Sequence, residues 1–317
     1  MTLGRSLATG AAITLAATLA GCGFGAGPSS RGTATLTVTR DYGSKTLVEA
    51  TDKDPAESDT VIRLLDRDAD IATRYGGGFV QSIDGLAGAE RGGRRYDWFF
   101  YVNGIESPVG AADVRVHGGD RIWWDYRDWT DAMGVPAVVG SWPEPFVQAS
   151  GDGRNPVRVE CLGGGSACQV AATRLRDAGI STRVDSGGGS SSTDAFRVLV
   201  GPWGHVRSDQ AVDGLRGGPA ANGVFATFRR ATGNGHRLVA LDATGTTASD
   251  LGPRAGLVAA LKPGNDPPTW IVTGSQAPAV RRAAGLLDAR DLRDRYAVAA
   301  RVGGPPVPLP LESGGAG

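Results

Sequence analysis

Nine of the chain's 21 aromatic residues fall between Tyr96 and Trp129, several on consecutive positions: Trp98, Phe99, Phe100, Tyr101, then Trp123, Trp124 and Tyr126. Indole and phenol rings in such density can stack on a flat or apolar ligand, and Asp125 and Asp128 beside them could orient it. Neighbouring strand residues point to opposite faces, so one set can be core while the other must meet a second domain, a partner or a ligand. The other reactive side chains assemble less. Gly163, Gly164, Gly165 and Ser166 precede a helix and could offer backbone N–H groups to an anion, but no P-loop lysine accompanies them and the same glycines serve to turn the chain. Thr273 and Ser275 follow a strand without a nucleophile elbow, and Ser275 reads as a helix cap. His117, His205 and His236 are dispersed, with no metal spacing and no triad partner. The expectation is therefore no catalytic residue, no cofactor and no metal.

Three cysteines bear on the compartment. Arg5, an apolar stretch from Ala11 to Ala20 and the run L-A-G-C ending at Cys22 read as a targeting signal. The apolar stretch is shorter than the roughly 20 residues a membrane-spanning helix needs. The run resembles a lipobox, which implies cleavage after residue 21 and a diacylglycerol on the Cys22 sulfur that anchors the chain outside the cytoplasmic membrane. Residues 22–32, rich in Gly and Ser, then form a flexible tether. Cys161 and Cys168 remain as a pair in an oxidising space. Without C-x-x-C spacing or a nearby histidine they are expected to form a structural disulfide, restricting the unfolded chain by roughly 2.5 kcal/mol. Basic and acidic residues balance at 33 each, so the whole-chain field offers nothing to hold nucleic acid.

A chain of 317 residues allows about two domains. Residues 33–150 begin with the alternation Ala34, Leu36, Val38 against threonines, the period of a half-buried strand, followed by a second strand over Thr46 to Ala50. A helix capped by Asp59 runs to about Asp68. Further strands cover Phe79 to Ile83, Tyr96 to Val102 and Arg121 to Tyr126, with Asn103-Gly104 as a hairpin turn. Two strands, one helix and more strands suggest a β-grasp arrangement. Residues 137–146 are expected to close this domain along its edge, with Trp142 and Phe146 extending the aromatic surface.

The segments T-R-Y-G-G-G-F-V-Q-S-I-D-G from Thr73, D-W-F-F-Y-V-N-G from Asp97 and G-D-R-I-W-W-D-Y from Gly119 resemble the transcobalamin-like C-terminal domain family, over about Thr33 to Asp131. The resemblance implies a β-grasp-like module that, in the animal carriers, closes over a corrinoid held by a larger helical domain. No run of amphipathic helices supplies that second half here.

After a linker at Gly151 to Asn155, residues 156–311 show strands and helices in the order βαββαβ, a split ferredoxin-like unit with the disulfide. Alternation then continues in what reads as one composite α/β domain. The piece R-V-L-V-G-P-W from Arg197 with G-V-F-A from Gly223 weakly resembles the sporulation-related repeat, which would imply contact with peptidoglycan. Pro305 to Pro310 should lie extended on the surface without completing a ladder, and residues 312–317 form a disordered tail. The fold class expected is α+β. The leading functional reading is a membrane-anchored extracytoplasmic binding lipoprotein, not an enzyme, that captures a small flat or apolar ligand such as a corrinoid through Trp98, Tyr101, Trp123, Trp124, Asp125, Tyr126 and Trp129. The alternative is a cell-envelope structural or interaction protein, touching peptidoglycan or a membrane transporter, whose aromatics pack the domains together.

Overall fold

A computed structural model describes residues 1, 29–151, 157–163, 165–187, 195–231, 233 and 235–312. The expected signal peptide, Cys22, most of the tether, most of the linker at 151–155, Gly164, the Gly/Ser loop from 188 and the tail beyond 312 lie outside the described residues. Among the described residues strands outnumber helices, a strand-rich α+β composition, and no helix is long and apolar enough to cross a membrane.

The N-terminal half contains β1 (Thr33–Arg40), β2 (Lys45–Lys53), α1 (Val61–Asp68), β3 (Ile71–Arg74), β4 (Phe79–Ile83), β5 (Leu86–Ala87), β6 (Ala89–Arg91), β7 (Arg94–Val102), β8 (Ile105–Glu106) and β9 (Arg121–Asp128). Its main sheet runs β2-β1-β9-β7-β6, with β8 on β7 and a parallel pairing of β1 with β9 at the centre. Asn103 and Gly104 take positive φ (54° and 79°), the hairpin turn that this pair favours. Ala34, Leu36 and Val38 face inward with Ile122, Trp124 and Tyr126, where Val61, Leu64 and Leu65 of α1 cover them. The helix starts one residue later than expected: Thr60 is the N-cap, while Asp59 pairs with Arg67 at 2.6 Å and accepts from the Ala56 amide. The last four tether residues are not free. Ser29 bridges to Ala56, the Gly32 amide donates to Asp54 at 2.8 Å, and Ser30 Oγ accepts from the Gly118 amide.

The C-terminal half follows α2 (Phe146–Gly151) and contains β10 (Val157–Cys161), α3 (Ser166–Asp177), β11 (Thr182–Ser186), β12 (Phe196–Pro202), the short turns α4 (Trp203–Val206) and α5 (Pro219–Asn222), β13 (Ala226–Arg230), β14 (His236–Leu241), β15 (Thr247–Gly252), β16 (Ala255–Leu261), β17 (Thr269–Gly274), α6 (Ala277–Ala284), α7 (Ala289–Leu292), β18 (Ala297–Arg301) and β19 (Pro306–Leu309). Its sheet runs β11-β10-β12-β17-β16-β18-β19. β10 pairs in parallel with both β11 and β12, and β12 in parallel with β17. This corrects the ferredoxin-like reading, which needs an antiparallel return after the first crossover. The strand expected as its fourth member, β13, instead joins β14 and β15 in a separate antiparallel sheet. The proline-rich tail is also corrected: β19 pairs antiparallel with β18 at the sheet edge, where prolines are tolerated because one side of the strand needs no donors. Cys161 and Cys168 are joined, tying the end of β10 to the first turn of α3. The N-cap of α6 is Gln276, not Ser275, whose Oγ is buried without a partner among the described residues.

Residues 137–146 run between the halves. The Val138 amide donates to Gly104 O and the Glu106 amide to Pro136 O, so the backbone does line the β8 edge. The side chains of Trp142 and Phe146 go the other way, against Trp270 at centroid distances of 5.7 and 4.9 Å, in the core of the C-terminal half. They do not extend an aromatic surface.

Two glycines set how closely the halves approach. A Cβ on Gly43 would lie 2.0 Å from Asp294 O, at a positive φ of 75°, and one on Gly140 would lie 2.7 Å from both Arg295 N and the Trp123 ring. Gly43→Ala and Gly140→Ala should each lower stability by about 1–3 kcal/mol through forced separation, measured by urea unfolding against alanine changes in open space: at Gly92, which shares the positive φ of Gly43, and at Gly204, which like Gly140 does not have one.

Candidate functional site

Over β7 and β9 neither face of the main sheet of the N-terminal half is free. Residues of β7 and β9 alternate: Trp98, Phe100, Trp124 and Tyr126 turn toward α1 and β3–β5, while Phe99, Tyr101 and Trp123 turn toward the C-terminal half. Of the seven residues expected to form a displayed ligand surface, Trp98, Tyr101, Trp123, Trp124, Asp125 and Tyr126 are all buried, Tyr101 and Asp125 completely. Trp129 is half-buried under the Arg95 guanidinium, 3.8 Å from its ring centroid. The structure brings Trp98, Trp124 and Tyr126 together on one side and places Tyr101, Trp123 and Asp125 on the other. A single aromatic platform made of all seven is thus ruled out by the two-residue period of the strands.

The inner group borders a groove. Trp98, Phe100 and Trp124 form the wall, and Phe79, Pro108 and Val109 the rim, of an open cavity of about 260 Å³. Phe79 and Val109 are 41% and 51% exposed, and Tyr75, 87% exposed, stands edge-on to Phe79. The rings are held by backbone acceptors: Trp98 Nε1 donates to Leu86 O at 2.8 Å and the Tyr126 hydroxyl to Ala87 O at 2.9 Å. Trp124 Nε1 is buried and finds no acceptor among the described residues. Glu106 closes one end, its carboxyl raised by burial, accepting from the Val135 amide at 2.9 Å. A second hollow, of about 290 Å³, continues past Phe79 to Arg95, Tyr96 and Trp129.

The outer group is a buried polar seam. Asp125 Oδ1 accepts from Thr39 Oγ1 at 2.6 Å and from the Gly43 amide at 3.1 Å, and Oδ2 accepts from the Tyr296 hydroxyl at 2.9 Å. Trp123 Nε1 donates to Thr39 Oγ1, completing a chain from indole to carboxylate. Tyr42, Tyr101, Trp123 and Tyr296 surround it edge to face, with Phe225 behind Tyr42. Arg127, fully buried, donates to Ala132 O and Met133 O and lies 3.8 Å over the Phe99 ring. Asp128 is occupied by an ion pair with Arg94. These groups hold one another, so the seam is structural.

The rim role of Tyr75, Phe79 and Val109 has no sequence signal: Phe79 begins the expected strand over Phe79 to Ile83, and nothing in the pattern marks its side chain, or those of Tyr75 and Val109, as exposed. Tyr296 was missed because it lies 171 residues from Asp125.

Residues 58–128 match a domain of unknown function, DUF4430, which spans α1 to β9 and includes the groove. No curated protein matches the chain significantly. Among solved structures, one from Ruminococcus gnavus, described as a "putative metal binding protein", is 16% identical over 31% of this chain and 98% of its own, with a TM-score of 0.24. Among the described residues no group of three or more His, Cys, Asp or Glu is placed to hold a metal ion.

Burial pushes the Asp125 carboxyl up to about 6, against the Thr39, Tyr296 and Gly43 hydrogen bonds and the Arg127 charge, which favour ionisation. In the unfolded chain the same group titrates near pH 3.9, so the folded state holds its proton longer as pH rises. Its contribution to stability is therefore greatest in acid and declines from about pH 4 to about pH 6. The stability of the wild type minus that of Asp125→Asn should fall by on the order of 2 kcal/mol across that window. A difference that urea titrations find independent of pH would contradict this assignment.

Proposed function

We infer that this chain is a lipid-anchored extracytoplasmic binding protein whose N-terminal half takes a flat or apolar group in the groove between Phe79, Trp98, Phe100, Val109 and Trp124. The observation that carries the reading is the groove itself: aromatic walls, an exposed apolar rim and an indole N–H that finds no acceptor among the described residues. Soluble monomers seldom leave clustered apolar side chains exposed without use. At about 260 Å³ the space lies just below the usual range of small-ligand pockets, so it suits a small ligand or one edge of a larger planar one. The sheet order, with a parallel central pair and one covering helix, supports a β-grasp arrangement for this half, in keeping with its resemblance to the transcobalamin-like C-terminal domain family. A corrinoid is accordingly the first ligand to try, gripped at one edge. Anchoring rests on the run ending at Cys22: labelling cells with radioactive palmitate should mark the wild type and not Cys22→Ser.

A second reading draws on the seam. Tyr101 and Trp123 join the two halves, which supports an envelope interaction protein built as one rigid piece. Retention on purified peptidoglycan that depends on residues 156–311 would favour it.

Equilibrium dialysis of residues 23–317 against cobalamin and an incomplete corrinoid should give saturable binding. Phe79→Ser with Val109→Ser should weaken it about tenfold or more by removing two apolar contacts of roughly 1.5 kcal/mol each, with the unfolding midpoint unchanged because both side chains are exposed. Equal affinity in the double variant would remove the groove from the account.

A further inference from the structure

The seam is not filled along its whole length. Where β1, β2 and β9 pass the Gly140–Ser141 turn and the Arg293–Asp294 corner, a cavity of about 330 Å³ remains between the two halves. Its floor is the outward row of the N-terminal sheet. Strand register sets Thr51, Thr35 and Arg121 side by side, with Glu49, Thr37 and Trp123 in the adjacent row. Ser141 and Asp294 face this floor from the other side, and an ion pair between Glu49 and Arg293, 2.6 Å, spans the mouth.

Among the described residues the hydroxyls of Thr35, Thr37, Thr51 and Ser141 make no hydrogen bond to protein, and no hydrogen bond or ion pair engages the Arg121 guanidinium. The carboxylates whose fields reach Arg121 are already engaged: Glu144 accepts from the Gln148 amide at 3.0 Å, and Asp294 lies 3.6 Å from Arg293. Arg293 itself is taken by Glu49. One partly desolvated guanidinium therefore stands over a bed of free hydroxyls. A guanidinium in such a place is matched by a planar oxyanion that accepts two parallel N–H bonds. Beside Arg121 two carboxylates, Glu144 and Asp294, outnumber the one further guanidinium, Arg293, so a dianion such as phosphate is disfavoured and a single negative charge fits best. The hydroxyl floor fits a ligand with hydroxyls of its own.

We propose that this cavity binds a hydroxylated monocarboxylate of the sugar-acid class, its carboxylate held by Arg121 and its hydroxyls by Thr35, Thr37, Thr51 and Ser141. The site lies on the opposite face of the sheet from the aromatic groove and does not depend on what the groove binds. Because its walls come from both halves, an occupant would also strengthen their docking.

Isothermal titration of the full chain with D-gluconate, and separately with inorganic phosphate, tests the assignment. Gluconate should bind saturably, and phosphate at least about tenfold more weakly. Arg121→Gln should weaken gluconate at least about tenfold through loss of the charged bidentate pair, with near-ultraviolet circular dichroism confirming the fold. Thr51→Val, at an exposed floor position, should weaken it several-fold and serves in place of the arginine variant if that one does not fold. No saturable gluconate binding by the wild type, phosphate binding as tight as gluconate, or unchanged gluconate affinity in a folded variant would each overturn the proposal.

Discussion

A strand that carries Trp123 and Trp124 side by side cannot leave either face of its sheet to water. Fully burying a large apolar side chain contributes about 1.5–3 kcal/mol, and β7 and β9 together present rings on both sides. One side is met within the N-terminal half, where α1 and the small β3–β5 sheet close over Trp98, Phe100 and Trp124. The other is met only by the C-terminal half, whose Tyr296 and Phe225 complete the packing around Tyr42, Tyr101 and Trp123. The joint between the halves thus follows from the residue order of two strands.

That joint is polar at its centre, which sets its geometry. Rings alone could slide across one another, but Asp125 accepts hydrogen bonds from Thr39, Gly43 and Tyr296 at once, and a buried carboxylate loses heavily if any is withdrawn. Arg127 pins the chain leaving β9 by its carbonyls at Ala132 and Met133. Arg295 donates to Gly43 O and Arg293 pairs with Glu49, so contacts on both sides of Asp294 fix the approach. The groove and the seam cavity are what remains open after these constraints are met, one on each face of the same sheet.

Much of the N-terminal half was legible in its residues. The alternation of Ala34, Leu36 and Val38 with threonines, the Asn103-Gly104 turn and the spacing of Val61, Leu64 and Leu65 are local signals, and each describes the structure. Consecutive aromatics announced two covered faces, although not which cover lay on which side. Strand direction was not legible: β10, β11 and β12 read alike in either orientation, since apolar alternation has no polarity, and an antiparallel fold was expected where a parallel one stands. The edge strand β19 was hidden for a related reason. Proline removes donors from the ladder, but the loss costs nothing on a side that no neighbour uses. The groove rim and the role of Tyr296 escaped because an exposed side chain at the start of a strand or in a loop, and a contact spanning 171 residues, leave no periodic trace.

The segment from Ala132 to Phe146 serves both halves, its backbone following the β8 edge while Trp142 and Phe146 sit in the opposite core. It therefore does not behave as a leash between two beads. A stretch of chain shared in this way makes the module poorly portable: an exchange of the N-terminal half into another protein would carry Tyr101 and Trp123 into water and leave a hole beside Trp270. A protein that kept only one of the two halves would have to resurface a strand face or refill a core before it could stand alone.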